Sequence, residues 1–244
     1  MHFSICAKHK LPKATRNDQI KNITMLYEES LWFKDIIERH VEPNSLVLNI
    51  GSSTKKFIEV DQPYIKKNLF DELAKKYCSV KNIDIKQAEG VDFVGDVTDT
   101  NFTDTLKQLN PSMIICSNLL EHLENRKTFC DALIQIMNKE TLLIISVPYS
   151  FPYHEDPIDT LYRPDIKELQ KAFPSLKLVE GEIVDCGFYF ALISKGMELG
   201  NQFLYFMKTL LRMFFALISF NKKKIENLSW NFKRASATCV VFKM

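Results

Sequence analysis

Residues able to do chemistry gather in five short segments of this chain. In the first, Gly51 is followed by Ser52, Ser53 and Thr54. A glycine lets backbone approach a ligand because it has no Cβ, and the hydroxyls and N–H groups after it can hold a carboxylate or phosphate. Alone, the pattern equally describes an ordinary tight turn. In the second, Asp84 is a carboxylate able to accept from both hydroxyls of a ribose, or a solvated aspartate. In the third, Asp96 could accept from an exocyclic amine while its neighbour Val97 packs on a purine, or it could serve the start of the next helix, where Asp99 and Thr100 already read as caps. The fourth, Ser117-Asn118-Leu119-Leu120-Glu121-His122-Leu123, concentrates polar groups, with His122 a general base or a structural histidine. The fifth spans residues 148–163, with three prolines and Tyr149, Tyr153, His154 and Arg163. Its aromatics suit stacking on a sugar or covering a ligand, or else they fill core. His154 is the second candidate base. Arg163 could clamp an anionic group or pair with Asp156 or Asp159.

The elements that must position these residues follow from hydrophobic periodicity. A helix is expected from Ile23 to about His40, stopped by Glu42-Pro43-Asn44. Strands are expected at about 45–50, 80–85, 91–94, 113–116 and 142–147, the last closed by Pro148. Helices are expected at about 64–77, 99–109 and 124–138. Strands alternating with helices predict an α/β, Rossmann-like, doubly wound and mostly parallel sheet with helices on both faces. Ligands in that architecture sit at the C-terminal strand ends, where the five segments fall. Asp84 lies 33 residues past Gly51, beyond the usual spacing of about 20. An extended Phe57–Pro63 stretch is expected to absorb the excess. Residues 1–44 read as an N-terminal arm, polar over 1–21, and a helix. Residues 45–244 read as the main domain, with 148–163 as a lid loop and 198–224 as an apolar helical insertion before the last strand.

Bulk composition narrows the class. Of 244 residues, 46% are apolar and 25% charged, with a net charge of +2. That is ordinary for a soluble domain, and it gives no reason to invoke nucleic acid. The six cysteines, Cys6, Cys78, Cys116, Cys130, Cys186 and Cys239, include no pair at zinc-knuckle or redox spacing. They read as reduced thiols, and no metal ligand set is read from the sequence. No apolar signal segment opens the chain, so the cytoplasm or the inner face of its membrane is the expected compartment.

Taken together, the strand ends resemble class I S-adenosylmethionine-dependent methyltransferases. The resemblance is carried by Leu46–Thr54, Asn82–Ile85, Val91–Asp99, and Met113–Cys116 running into Leu119–Leu123, with the Leu-Glu-His triplet at 120–122. It covers roughly residues 45–190, and β-like segments near 176–186 and 235–243 suit the family's final strands. The resemblance implies S-adenosyl-L-methionine as cofactor. It implies that Asn49, Gly51, Ser52 and Ser53 hold its methionine part, Asp84 its ribose, and Asp96 with Val97 its adenine. Ser117, Asn118 and His122 would lie beside the methyl group. Asn49 stands where the family usually has an acidic residue, and Ser53 and Lys55 replace two glycines. A catalytically degenerate, methyltransferase-like binding or scaffold protein therefore stays as an alternative. A nicotinamide-dependent oxidoreductase is weakened by the missing second glycine.

Val147–Tyr149, Pro152–Asp159 and Tyr162–Pro164 resemble a bacterial methyltransferase subgroup associated with surface-polysaccharide and cell-envelope glycan pathways. That resemblance implies a small-molecule or glycan acceptor, such as a polysaccharide precursor. On a helical wheel of 201–220, Asn201, Lys208, Arg212 and Ser219 form one narrow stripe and nearly everything else is apolar. Such a helix packs on the domain or in a homodimer, or lies in a membrane interface with Lys222-Lys223-Lys224 against anionic lipid.

Overall fold

The computed structural model describes residues 25–154, 158–195 and 197–244. The arm read over residues 1–21, with Cys6, lies outside them, as do Glu155, Asp156 and Pro157. Helix α1 covers Tyr27–His40 and buries Glu29, Trp32, Phe33, Ile36 and Ile37, the spacing of one helical face. Leu26, expected inside the helix, precedes it with extended backbone. Its N–H donates to Glu29 Oε2 at 2.9 Å.

Strand β1 is Leu46–Ile50. The stretch expected to be extended is instead helical. π-helical turns Phe57–Asp61 and Lys66–Phe70 alternate with α-helical turns Pro63–Ile65 and Asp71–Lys75, together α2. Two local signals explain this. Thr54 Oγ1 accepts from Phe57 N at 3.2 Å, and Pro63 stands at a helical first position, where its missing N–H costs nothing. Coiled chain, not extended chain, therefore fills the long interval from Gly51 to Asp84.

Strand β2 is Ser79–Asp84 and β3 only Phe93–Val94. Val91 and Asp92 drop out of the expected strand, and Asp92 Oδ2 accepts from Asn82 N at 2.8 Å. Helix α3, Thr100–Gln108, is capped by Asp99, which accepts from Phe102 N. Then come β4, Met113–Ser117, and α4, Arg126–Ile136. Strand β5 runs Leu142–Ser150, so Pro148 does not close it. Pro148 lies opposite Ala237 beside a register shift, the kind of site where a sheet tolerates a residue without an N–H. Helix α5 is Ile166–Ala172, β6 Lys177–Phe188 and α6 Tyr189–Ser194. Helices α7, Leu199–Ile218, and α8, Lys222–Ser229, precede β7, Arg234–Lys243.

The seven strands form one sheet in the order β3-β2-β1-β4-β5-β7-β6. Pairing is parallel from β3 to β5, and β7 runs antiparallel to both β5 and β6. Alternate residues face opposite cores. Leu48, Ile114 and Ile145 pack with Phe129 and Leu133 of α4 and Phe173 beyond α5. Val47, Ile115 and Ile144 pack with Phe33 and Ile37 of α1 and Leu73 of α2. Helices thus cover both faces, the doubly wound arrangement expected. The chain leaves β1 toward β2 and β3 on one side, then returns to β4 on the other. This is the topological switch point, and the crevice for a ligand opens at the C-terminal ends of β1 and β4.

Candidate active site

A cleft of about 410 Å³ opens there, with Asn49, Gly51, Ser52 and Ser53 on one wall and Ser117, Asn118 and His122 on the other. A second cavity of about 250 Å³, lined by Asp96, Val97 and Phe129, shares Gly51, Asp84, Ile85, Leu119 and Leu123 with the first. The two make one elongated site bent around Asp84. One end presents the backbone and hydroxyls of Gly51–Thr54 opposite Phe57, Ile58, Ile65 and Phe70, and the other is apolar apart from Asp96, Thr98 and Asn125.

The glycine turn is built by contact rather than by sequence pattern alone. Gly51 has φ of 75°, and a Cβ there would stand 2.9 Å from Leu119 Cδ2. The N–H groups of Gly51 and Ser52 both donate to Ile83 O, at 2.9 and 3.2 Å. Ser53 takes the left-handed φ of 59° that a glycine adopts without strain. Asp84 holds this turn: Oδ2 accepts from Ser53 N at 3.3 Å and Oδ1 from Lys86 N at 2.9 Å. A carboxylate has about four acceptor sites, so Asp84 keeps capacity for a ligand. Asn49 donates through Nδ2 to Asn82 Oδ1 at 2.9 Å, which leaves its own carbonyl for the cleft. Asp96 Oδ1 accepts from Thr98 N and Thr98 Oγ1 at 2.8 and 2.7 Å. Its Oδ2 retains acceptor capacity beside the buried Val97.

At the other wall, Asn118 has φ of 48°, and its Nδ2 donates to Glu29 Oε1 at 2.7 Å. Its amide nitrogen is therefore committed to α1. Burial pushes the Glu29 carboxyl up to about 7 against the hydrogen bonds it receives. Next along the chain, Glu121 is fully buried, and neither carboxyl oxygen has a hydrogen-bond partner. Burial pushes it up to about 8. The ring of His122 bonds Ile158 O through Nδ1, and its Nε2 stands 3.7 Å from Glu121 Oε1. His154 meets His122 edge to face, centroids 5.2 Å apart. Its Nδ1 lies 3.2 Å from Asp159 Oδ2. Burial lowers its basicity, opposed by Asp159.

Arg163 resolves in favour of an ion pair. Its Nη2 and Nη1 donate to Asp159 Oδ2 and Oδ1 at 2.6 and 3.1 Å, so its fork is closed on Asp159 rather than open to a ligand. Burial alone would raise Asp159, but Arg163 and the N–H groups of His154 and Leu161 hold its carboxyl below the ordinary range. Tyr149 and Tyr153 are exposed, and neither they nor Arg163 lines either cavity. His154 borders a separate small cavity with Glu29, Asn118 and Phe151.

Three residues escaped sequence reasoning: Glu29, Glu121 and Asn82. Glu29 had a signal, because it sits four and seven residues before Phe33 and Ile36 on the buried face of α1. Glu121 had none, since the groups around it come from far along the chain: Thr160 N donates to Glu121 O at 2.9 Å, and Glu29, Asp159 and Arg163 are its charged neighbours.

No family model matches the sequence, and no curated protein matches it. Solved structures do resemble it in fold. A coclaurine N-methyltransferase bound to N-methylheliamine and SAH superposes with a TM-score of 0.50 at 15% identity, covering 89% of this chain and 71% of the other. A candidate methyltransferase from Bacillus halodurans gives 0.52 at 14% identity, covering 86% and 97%. The MccD protein gives 0.50 at 13% identity, covering 88% and 96%. The likeness is one of fold: the chain has the Rossmann-like fold that methyltransferases use.

Proposed function

We propose that the chain is an S-adenosylmethionine-dependent methyltransferase. The observation that carries this reading is the bent double cavity at the switch point, joined around Asp84. Its two ends match a cofactor that is polar and charged at one end and a flat purine at the other. The turn Gly51–Ser53 and the Asn49 carbonyl suit the amino-acid end, Asp84 the ribose, and Asp96 Oδ2 with Val97 the adenine. The neighbouring folds support the same cofactor. When bound, the cofactor supplies a methyl group already activated on a sulfonium. The chain then has mainly to align an acceptor and remove its proton. Donation of Nδ1–H to Ile158 O leaves the His122 Nε2 lone pair free to take a hydroxyl proton, with His154 beside it. An amine acceptor would need only to arrive neutral.

Calorimetric titration tests the reading. Binding of S-adenosylmethionine or S-adenosylhomocysteine, with none of NADH, is expected. No heat with either sulfur compound would reject it and favour a scaffold role, and binding of NADH alone would favour an oxidoreductase. For the acceptor we propose a small molecule or glycan, such as a cell-envelope polysaccharide precursor. The exposed rings of Tyr149 and Tyr153 suit stacking on a sugar. Labelled-methyl transfer to a panel of glycans is the check.

We further infer that α7 rests on an anionic membrane surface. Helix α7 packs inward along one narrow stripe, with Tyr205 and Phe206 against Phe190 and Phe206 against Phe232. Of its residues only Thr209 and Ala216 are buried, so most of its apolar surface faces outward. Leu199, Phe203, Leu211 and Phe214 are exposed, and Lys222, Lys223 and Lys224 follow at once. Among the described residues no helix is long and apolar enough to cross a membrane. An interfacial helix beside a basic cluster meets both observations. Co-flotation with anionic vesicles, weaker with neutral ones, is expected. No flotation together with a dimer in light scattering would replace lipid by a second copy.

A further inference from the structure

Glu121, His122 and His154 form a group that the general-base reading does not exhaust. One ligand-capable atom from each side chain lies within 4.8 Å of the other two. Two imidazoles and one carboxylate are a donor set suited to zinc, manganese, iron or cobalt, rather than to the all-oxygen preference of calcium or magnesium. Glu121 supplies the second, independent observation. It is completely buried and both of its oxygens lack a hydrogen-bond partner. A polar group left so is costly, and a cation among these side chains gives it the partner the fold withholds.

The supporting shell points the same way. A metal-binding histidine ordinarily donates its other ring N–H to a carbonyl or carboxylate, which fixes the tautomer and the ring. His122 Nδ1 meets Ile158 O. His154 Nδ1 lies 3.2 Å from Asp159 Oδ2. Asp159 is itself clamped by Arg163 and by the N–H groups of His154 and Leu161. Each ring is thus anchored through Nδ1, leaving Nε2 as the lone-pair nitrogen. Asp159 and Arg163, which reach neither cavity, acquire a purpose as positioning residues.

We propose that Glu121, His122 and His154 bind one divalent transition-metal ion at the edge of the cleft that His122 lines. Three protein ligands leave coordination positions open, so an oxygen of a molecule in the cleft can complete the shell. The inference rests on the side-chain cluster and not on the cofactor assignment, so either can fail alone. It also competes with proton abstraction by His122, because one lone pair cannot serve both.

The test is titration of the purified full chain, freed of metal by a chelator, with Mn²⁺ and with Co²⁺. One Co²⁺ per chain is expected, with a visible ligand-field band. Glu121→Gln and His154→Gln should each weaken Co²⁺ binding at least about 10-fold, and Asp159→Asn by about 10–100-fold. Circular dichroism checks that each variant folds. His154 lies outside regular structure, so His154→Gln carries the test should Glu121→Gln misfold. Cys78→Ser, which removes a partly exposed thiol, should leave the affinity unchanged. The proposal is overturned by absence of Co²⁺ binding at about 1 mM free ion, by binding that His154→Gln and Glu121→Gln leave intact, or by binding that Cys78→Ser abolishes. Titration with S-adenosylmethionine on the same samples reads the cofactor assignment separately.

Discussion

The strand-end site and helix α7 break the usual sorting of side chains in opposite directions. At the site, polar groups are buried: Glu29, Asn49, Ser52, Asn118 and Glu121 all lie beneath the surface. Along α7, large apolar groups are exposed, Leu199 at 83% and Phe220 beyond its end at 87%. A buried polar group or an exposed apolar patch is more informative than the reverse, because each leaves unpaid a cost that folding normally avoids. In the first region Glu121 has no hydrogen-bond partner and Asn49 and Asp84 keep acceptor capacity toward the cleft, so it calls for a small polar or charged ligand. The second lacks a cover for hydrocarbon, so it calls for a surface. If that contrast is right, the two regions should separate cleanly under mutation.

The largest effect is expected on α7. Phe203→Glu, Leu211→Glu and Phe214→Glu together should cut partitioning onto anionic vesicles by about 100-fold or more, since each removes on the order of 1 kcal/mol or more of apolar burial. Because the three side chains are exposed in the chain itself, each should change folding stability by no more than about 0.5 kcal/mol. Thermal melts and flotation assays read the two quantities. A collapse of stability would mean that α7 is packed in solution, by a second copy or by the domain.

The counterpart is Asp84→Ala. It should weaken S-adenosylmethionine binding by about 1–3 kcal/mol, roughly 10–100-fold, and leave vesicle binding alone. Unchanged calorimetric affinity would remove Asp84 from the ribose. A smaller effect is expected from the buried carboxyl of Glu29. Its folded-state value, about 7, stands above the ordinary 4.5. A raised carboxyl contributes stability that is fully present below pH 4.5 and is lost as pH rises through 7. Unfolding free energy should therefore fall across that window, and Glu29→Gln should flatten the fall by roughly 1–2 kcal/mol. Denaturant melts at pH 5 and 8 give the slope, and an equal slope in both proteins would show that Glu29 does not titrate there.

How far the sequence foretold these regions depends on where the controlling contacts lie. Gly51, Asp84 and Asp96 were readable because alternation of strands and helices dictates that strand ends converge. The apolar character of α7 was readable from composition, but its exposure was not, because nothing in residues 199–218 says what the domain will offer them. The same non-locality hid the length of β5, which is extended past Pro148 by pairing with β7 some ninety residues on. It also hid Glu121, whose neighbour His122 drew attention while its own charged neighbours, Glu29, Asp159 and Arg163, come from distant parts of the chain. The helical α2 is different: Thr54 and Pro63 signalled it locally, and the demand for an extended spacer obscured them.

The smallest effects, and the sharpest comparison, come from one left-handed residue in each region. Ser53 has φ of 59° in the glycine turn, and Phe220 has φ of 51° just past α7. At Phe220 the N–H groups of Phe220 and Asn221 donate to Leu217 O and Ala216 O, a helix-ending motif that normally takes glycine. A non-glycine residue in this conformation costs about 1–2 kcal/mol, offset by glycine's greater loss of entropy on folding, about 0.5–1 kcal/mol. Ser53→Gly and Phe220→Gly should therefore each raise stability by about 0.5–1 kcal/mol in thermal melts. Their functional readouts should diverge. Phe220→Gly should weaken vesicle binding, because the strained position holds an exposed ring with no packing in the chain to justify it. Ser53→Gly should leave vesicle binding unchanged and keep or tighten S-adenosylmethionine binding, because the turn uses the backbone N–H of residue 53 on Asp84 rather than its hydroxyl. Loss of cofactor affinity in Ser53→Gly would instead make the hydroxyl a ligand contact and give the serine a reason to stand where a glycine fits.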